Sequence, residues 1–456
     1  MKNISRRDFL KLSSCGMAAI AVGAAGGYGL LWRDSEAMAA SQTLTVTIIE
    51  AEHEMTDLVR VPVWAYSING TASVPGTAIF AVEGDELEIN VTNNLTVDHA
   101  FSVPGVVDSG SIAPRQTVQV KFKAPQAGTY MYLDPLNAPV NRVMGLYGAL
   151  VVLPRLSVTP YSNPTSTIRN LFEDFGTAPH FPGHPWDPSR TWLWIVASVD
   201  PIKNALAANT PTVSASAFTS GYSPQYFMIN GKSGFFSSHD HSIEIAGNQG
   251  QPTLIRTMNA GLSWHSLHTH FNHCYILTVD GVPQSNLWLV DVWTLGPMDR
   301  KDVLMPFIQP PDIPVQTWNK ISAGTSQERL PMAWPMHCHL ETSQTAAGGN
   351  YPNGMLAHMK LTGPVSAANE VIVVEEADIR IKFGRIRLKG RASAGSQLTI
   401  FAGPPSDNKV VGTLTVPPSG RWLFEGRSLR SMSNRTISVV SNGTGASRLN
   451  VRCKPR

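Results

Sequence analysis

Four histidines fall within nine residues in the stretch Trp264-His265-Ser266-Leu267-His268-Thr269-His270-Phe271-Asn272-His273. A second group, His337-Cys338-His339, follows it, with Met355 further on. The chain holds only 13 histidines, so satisfied core or surface imidazoles account poorly for this concentration. In an extended strand alternate side chains share a face. His268 and His270 then point one way, as do His337 and His339, while Cys338 points the other. One strand can therefore offer two imidazoles to one metal centre and a thiolate to a second. A thiolate beside an imidazole, with a thioether as weak axial donor, suits a soft, redox-active copper ion.

Lesser candidates lie around these groups. His239-Asp240-His241 has the spacing of a small surface metal site, or caps a turn before Ile243. His358, three residues after Met355, is a further imidazole for the cysteine's metal if its loop folds back. No serine-nucleophile elbow, phosphate-cradling glycine loop or convincing pair of carboxylates is present.

The elements that must position these residues read as strands. Period-two alternation with β-branched residues recurs at Leu44–Ile49, Glu86–Val91, Val118–Phe122, Ala149–Leu153 and Trp192–Ala197. Pro/Gly/Asn turns separate them, and sustained helical periodicity is scarce. The ends of two segments echo each other. Gly128-Thr129-Tyr130 leads to Gly145–Val152, and Trp334-Pro335-Met336-His337 leads to Gly354-Met355-Leu356-Ala357. That pattern predicts an all-β chain with two copies of one fold, over 40–157 and 191–364, joined by a Pro/Asn/Gly-rich linker at 158–190. Beyond Pro364 histidine vanishes and arginine rises. Strands at Ile379–Leu388, Leu398–Phe401 and Thr436–Val440 make 365–456 the size of a small immunoglobulin-like β-sandwich.

Composition narrows the function. The 456 residues are 43% hydrophobic and 15% charged, ample for packed cores and incompatible with disorder over most of the chain. The net charge of +3 hides an asymmetry: residues 40–366 carry 16 Lys/Arg against 24 Asp/Glu, and residues 367–456 carry 15 against 6. The acidic bulk excludes a general nucleic-acid binder, while the basic end has strips suited to an anionic envelope surface or to plain solvation. At the N-terminus Ser5-Arg6-Arg7-Asp8-Phe9-Leu10-Lys11 precedes an apolar run to Leu31 and then Ala37-Met38-Ala39. Residues 1–39 thus resemble a twin-arginine export signal with a cleavage site, which predicts a periplasmic or exported protein. No later segment approaches the ~20 apolar residues of a spanning helix. Past the signal Cys274, Cys338 and Cys453 remain, an odd count that makes no disulfide framework and leaves a thiol for metal.

H-x-x-H-x-H followed by H-C-H and a later Gly-Met resembles the C-terminal copper motifs of the multicopper oxidases, which are built from cupredoxin domains. Phe227–Lys232, Met258-Asn259-Ala260-Gly261 and Gly145–Val152 share in the likeness, which covers roughly residues 42–363. The resemblance implies two cupredoxin-like Greek-key β-barrels or sandwiches before the basic module, with no room for a middle domain. It makes His265 and Cys338 type 1 copper ligands with Met355 axial. His268 falls on type 2 copper, and His270, His337 and His339 fall on the type 3 pair. His99, in His99-Ala100-Phe101-Ser102, is the surviving imidazole of the N-terminal motif. Implied substrates are a small reductant, a metal ion or a redox protein. A homotrimer is implied by two-domain relatives, whose cluster lies between subunits.

Departures are equally specific. Ser343 stands where the family has its further type 1 histidine, and Leu133-Asp134-Pro135 replaces the second N-terminal pair. Each copper takes about three protein ligands, so His99, His268, His270, His337 and His339 suit at most two. The sequence therefore predicts a copper oxidoreductase with a reduced interdomain site. The other reading is a non-catalytic cupredoxin protein, an electron carrier or envelope scaffold that has lost part or all of its copper.

Overall fold

The structure is a computed structural model. It describes residues 42–455 apart from 155, 156, 158, 177–180, 182, 348, 365–371, 381–383, 393–395, 406–408, 418, 428–435 and 442–446. The export signal predicted at 1–39 lies outside the described residues.

Two sheets form the first unit. One orders its strands Thr71–Ser73, Arg60–Ile68, Gln42–Glu54, Glu86–Asn93, Thr117–Lys123; the other runs Gly76–Val82, Tyr147–Leu153, Gly128–Leu133, Ser102–Val103, Val107–Asp108. The second unit repeats the plan. Its larger sheet carries Tyr226–Ile229, Thr191–Val199, Thr253–Asn259, Arg300–Met305 and Cys274–Val279 in that order. Its smaller sheet runs Ile245–Asn248, Leu356–Gly363, Met332–Cys338, His265–Thr269, Val292–Leu295. The closing strand of each unit lies parallel to an early strand (Leu150 beside Ile79, Met359 beside Ile245) and antiparallel to a late one (Tyr147 beside Leu133, Ala357 beside Met336). The repeat legible at the segment ends is thus a repeat of topology, and the all-β fold is as expected.

Burial explains why some strands alternate and others do not. Glu86–Asn93 alternates exposed or half-buried with buried residues, because only one face meets a core. Tyr147–Leu153 and Thr191–Val199 are buried throughout. In the first, Leu150 and Val152 enter the core of the N-terminal unit, while Tyr147, Ala149, Val151 and Leu153 enter a second core shared with the other unit. In the second, Trp192, Trp194 and Val196 fill their own unit's core, while Leu193, Ile195, Ala197 and Val199 meet the shared one. Strands covered on both sides are apolar at every position. At roughly 1.5–3 kcal/mol for each fully buried large aliphatic side chain, this shared core holds the two units as one body.

Buried polar groups add direction to that contact. The Arg256 guanidinium bonds Asp302 (2.9 Å) and the Thr129 hydroxyl (2.7 Å). Thr129 and Tyr161 in turn donate to Asp302 at 2.7 and 2.9 Å. Arg142 of the first unit donates to the carbonyls of Ala260 and Gly261 in the second.

Two expectations change. The linker carries a helix, Ser166–Asp174, capped by the Thr165 hydroxyl at the Ile168 N–H. Ile168, Leu171 and Phe172 on it pack against Leu254, Leu277 and Leu304. The stretch Ile379–Leu388 is not one strand: Val373–Arg380 and Arg385–Arg391 pair antiparallel, and the chain reverses between them. Alternation continued through that hairpin, so periodicity alone concealed the turn. Together with Arg421–Arg427 and Lys454–Pro455 these strands form one four-stranded sheet of the C-terminal module. The other sheet comprises Val410–Thr415, Gln397–Ala402, Thr436–Ser441 and Ser447–Arg452.

Candidate metal centre

Both histidine-bearing segments are neighbouring strands of the smaller sheet of the second unit. Their register sets Leu267 opposite Cys338 and His268 opposite His337. Period-two alternation then sorts the ligands by face. His265, Leu267 and Cys338 are buried inward, whereas His268 and His337 are half-buried and His270 and His339 exposed on the other side.

On the outer face the four imidazoles converge. Ring centroids separate by 4.6 Å for His268–His270, 4.4 Å for His268–His339, 5.2 Å for His270–His337 and 5.3 Å for His337–His339. Nε2 of His270 lies 3.0 Å from Nε2 of His337. The donor atoms of His268, His270 and His337 all fall within 4.8 Å of one another. The remaining nitrogens are held from behind: His268 Nδ1 meets the Asp291 carbonyl at 3.2 Å and His337 Nδ1 the Cys338 carbonyl at 3.2 Å. Such backing fixes the tautomer and leaves Nε2 as the nitrogen that a metal would take. Burial lowers the pKa of His268 and His337, and neighbouring imidazoles add to the effect. Both rings are thereby kept neutral, the form that binds metal.

On the inner face His265 Nδ1 lies 3.8 Å from Cys338 Sγ, and both residues are buried with Met355 in the core of the unit. Phe227 packs edge-on to the His265 ring at 6.2 Å. Burial holds the His265 imidazole down at about 4. The Cys338 thiol is pushed up by burial, against the pull of the Leu340 and Ser266 backbone groups and the Ser343 hydroxyl. Ser343 is fully enclosed, with Oγ 3.1 Å from His265 Nδ1. The residue standing in place of an imidazole thus reaches both His265 and Cys338. Met355 is delivered by a tight return of the chain, its N–H bonding the Ser343 carbonyl at 2.8 Å and the Gly354 N–H bonding the Gln344 carbonyl at 3.0 Å. Only glycine fits at 354, because a Cβ there would stand 2.1 Å from the Ser343 carbonyl oxygen. A cavity of about 180 Å³ is lined by His270, His337, Gln344, Tyr351 and Met355.

The residues present fit copper. A buried thiol and imidazole meet on one side, with Met355 in the same core, and His265 Nε2 is buried without a hydrogen-bond partner among the described residues. Four imidazoles gather on the other.

Other candidates are placed elsewhere. His99 is enclosed in the N-terminal unit, with Nδ1 2.7 Å from Asp134 Oδ2 and its ring 5.1 Å edge-on to Trp64. Asp134 is fixed in turn by the Asn141 amide and the Leu136 N–H. His99 Nε2 is buried without a partner among the described residues, apart from the four-imidazole group. His358 lies on the strand Leu356–Gly363 between inward-facing Ala357 and Met359, so it faces away from Cys338 and meets His239 at 5.2 Å. His239 stacks on Phe235 at 4.3 Å, and Asp240 accepts from the Ser242 N–H, which makes this segment a capped turn. His273 is exposed outside the group. The contact between Ser343 and His265 carried no sequence signal beyond the serine's place in the motif.

Residues 50–157 match the family model for multicopper oxidases. The chain is 26% identical to laccase-2 of Botryotinia fuckeliana over 256 residues, 53% of this chain and 39% of that one. It is 34% identical to the copper-containing nitrite reductase of Alcaligenes xylosoxydans xylosoxydans over 101 residues, 20% of this chain and 30% of that one. The chain thus spans under half the length of these curated relatives. The blue copper oxidase of Nitrosomonas europaea superposes with a TM-score of 0.52 at 22% identity, covering 71% of this chain and 86% of that one, a likeness of fold. Its N-terminal cupredoxin-like unit is thus similar to a multicopper oxidase domain. The curated similarities run both to laccases and to copper-containing nitrite reductases.

Proposed function

We propose that this protein is an exported copper-binding oxidoreductase of multicopper oxidase type, in which single electrons enter at a type 1-like site and pass to an interdomain copper site with a reduced ligand set. The observation that carries the reading is the single strand Met332–Cys338, which with His339 sends a buried thiol inward and two imidazoles outward. His265, Cys338 and Met355 would hold one copper, and His268, His270, His337 and His339 a second group of one or two. Copper there would supply one-electron redox chemistry.

The chain's own residues prepare both sites. Burial keeps His265 neutral and excludes water from the thiol, while Ser343 orients the imidazole and the sulfur together. The carbonyls behind His268 and His337 aim Nε2 outward. The cavity beside His270 and Met355 admits a small molecule next to both faces. Exposure of His270 and His339 leaves the outer group open, which suits closure by another subunit in a homotrimer. His99, backed by Asp134, is the N-terminal unit's contribution if that unit rearranges on assembly.

Copper quantitation with electron paramagnetic resonance tests the reading. Two or more coppers per chain, one of them thiolate-bound, with oxidation of a phenol or a metal ion, is the expected result. A single copper without turnover points to an electron carrier. A folded chain that takes up none after full loading refutes the reading in favour of a scaffold. Light scattering that gives a monomer removes the trimer.

A further inference from the structure

The C-terminal module carries a charged site that the redox reading does not use. The register places Arg380 opposite Arg385, and Arg385 opposite Arg427, so three arginines stand in one row across three adjacent strands. All three are exposed, and among the described residues no carboxylate pairs with them. Like charges directly opposite on neighbouring strands are destabilising, so the row is a feature that folding alone does not favour. One step inward the same face is neutralised: Arg387 bonds Glu425 at 3.0 Å and Glu376 at 3.2 Å, and Asp378 lies opposite Arg387.

A cavity of about 510 Å³ is lined by Arg380, Arg385, Arg387 and Arg427 on its cationic side and by Asp378 and Glu425 on its anionic side. That volume falls in the range of small-molecule sites and exceeds what a bare oxyanion fills. Guanidinium forks match tetrahedral oxyanions through paired N–H donors. Carboxylates a step away repel a second anionic group and accept hydrogen bonds from hydroxyls. We propose that this row is a binding site for the phosphate ester of a polyol, with the phosphate on Arg380, Arg385 and Arg427 and the hydroxylated body toward Asp378 and Glu425. The same chemistry is offered by a soluble polyol phosphate and by a glycerophospholipid headgroup. The proposal does not depend on copper.

The test uses the full chain with glycerol 3-phosphate by calorimetry, and with phosphatidylglycerol against phosphatidylcholine vesicles by co-sedimentation. Binding to the soluble ester alone identifies a free ligand; binding to phosphatidylglycerol vesicles identifies a headgroup; either supports the site. The variant Arg380→Gln/Arg385→Gln/Arg427→Gln should bind at least about tenfold more weakly, given the worth of charge-assisted bonds. Arg60→Gln/Lys121→Gln/Lys123→Gln removes equal charge from the N-terminal unit and should bind as the parent does. The single variant Arg385→Gln provides the same comparison if the triple variant fails to fold. Glycerol 3-phosphate or phosphatidylglycerol should also raise the melting temperature of the parent and not of the variant. Absence of binding to both probes overturns the proposal. So does variant affinity within twofold of the parent, or equal loss in the control.

Discussion

Acidification offers a direct measure of how dry the inner pocket is. In the metal-free protein burial holds His265 at about 4, against 6.5 when exposed. Between those values the unfolded chain carries a proton that the folded chain refuses. Stability from this residue is therefore complete above about pH 6.5 and declines as pH falls toward 4, by ~1.4 kcal/mol per pH unit. By pH 4.5 the loss should reach about 2.5 kcal/mol, a large share of a domain's usual margin. The assay is urea unfolding of metal-free protein from pH 7.5 to 4.5, followed by tryptophan fluorescence, for the parent and for His265→Gln. Groups other than His265 contribute to both proteins and cancel in the difference. The parent should lose about 2.5 kcal/mol more than the variant across the range. Parallel curves, separated by a constant offset, would refute the claim that this imidazole is buried neutral.

Further outcomes follow from the same geometry. Asp302→Leu strands Arg256 and should cost about 3–5 kcal/mol, whereas Arg256→Met/Asp302→Leu should recover most of it; urea unfolding decides, and a single variant within 1 kcal/mol of the parent contradicts a buried pair. Cys338→Ser should abolish the visible thiolate–copper charge-transfer band. Ser343→His should make the band more intensely blue, because an imidazole replaces an oxygen donor. Persistence of the band without the cysteine would dismiss the ligand assignment. His270→Ala should remove copper from the outer face, counted by metal analysis, yet leave that band in place. Calorimetry in two buffers at pH 7 should show copper uptake at the inner site releasing about one proton, from Cys338, because His265 is already neutral there.

The sequence showed most of this site because strands convert spacing directly into facing. His337, Cys338 and His339 could only divide as one thiol against two imidazoles, and the pairing of His268 with His337 brought the two motifs together as that division requires. The all-β repeat was legible for the same reason. What was hidden depended on neighbours distant in the chain. Nothing local told that Tyr147–Leu153 is covered on both faces, or that His358 would fall between two inward residues and face His239. Nor did spacing place His99, whose ring is bound by Asp134, 35 residues away. Asp134, which stands in place of the second N-terminal pair, holds that ring.

The return that delivers Met355 is fastened at its two ends, by the Ser343 carbonyl to the Met355 N–H and by the Gln344 carbonyl to the Gly354 N–H. Between these fastenings Ala346 is buried in the shared core and the Ala347 N–H bonds the Gln225 carbonyl at 3.0 Å, so the anchored part of the segment cannot change freely. The exposed tip at 349–352 is the interchangeable part, mounted on a fixed clasp. New recognition loops can be grafted there, beside the cavity and within reach of a docking partner, while the inner donors keep their places.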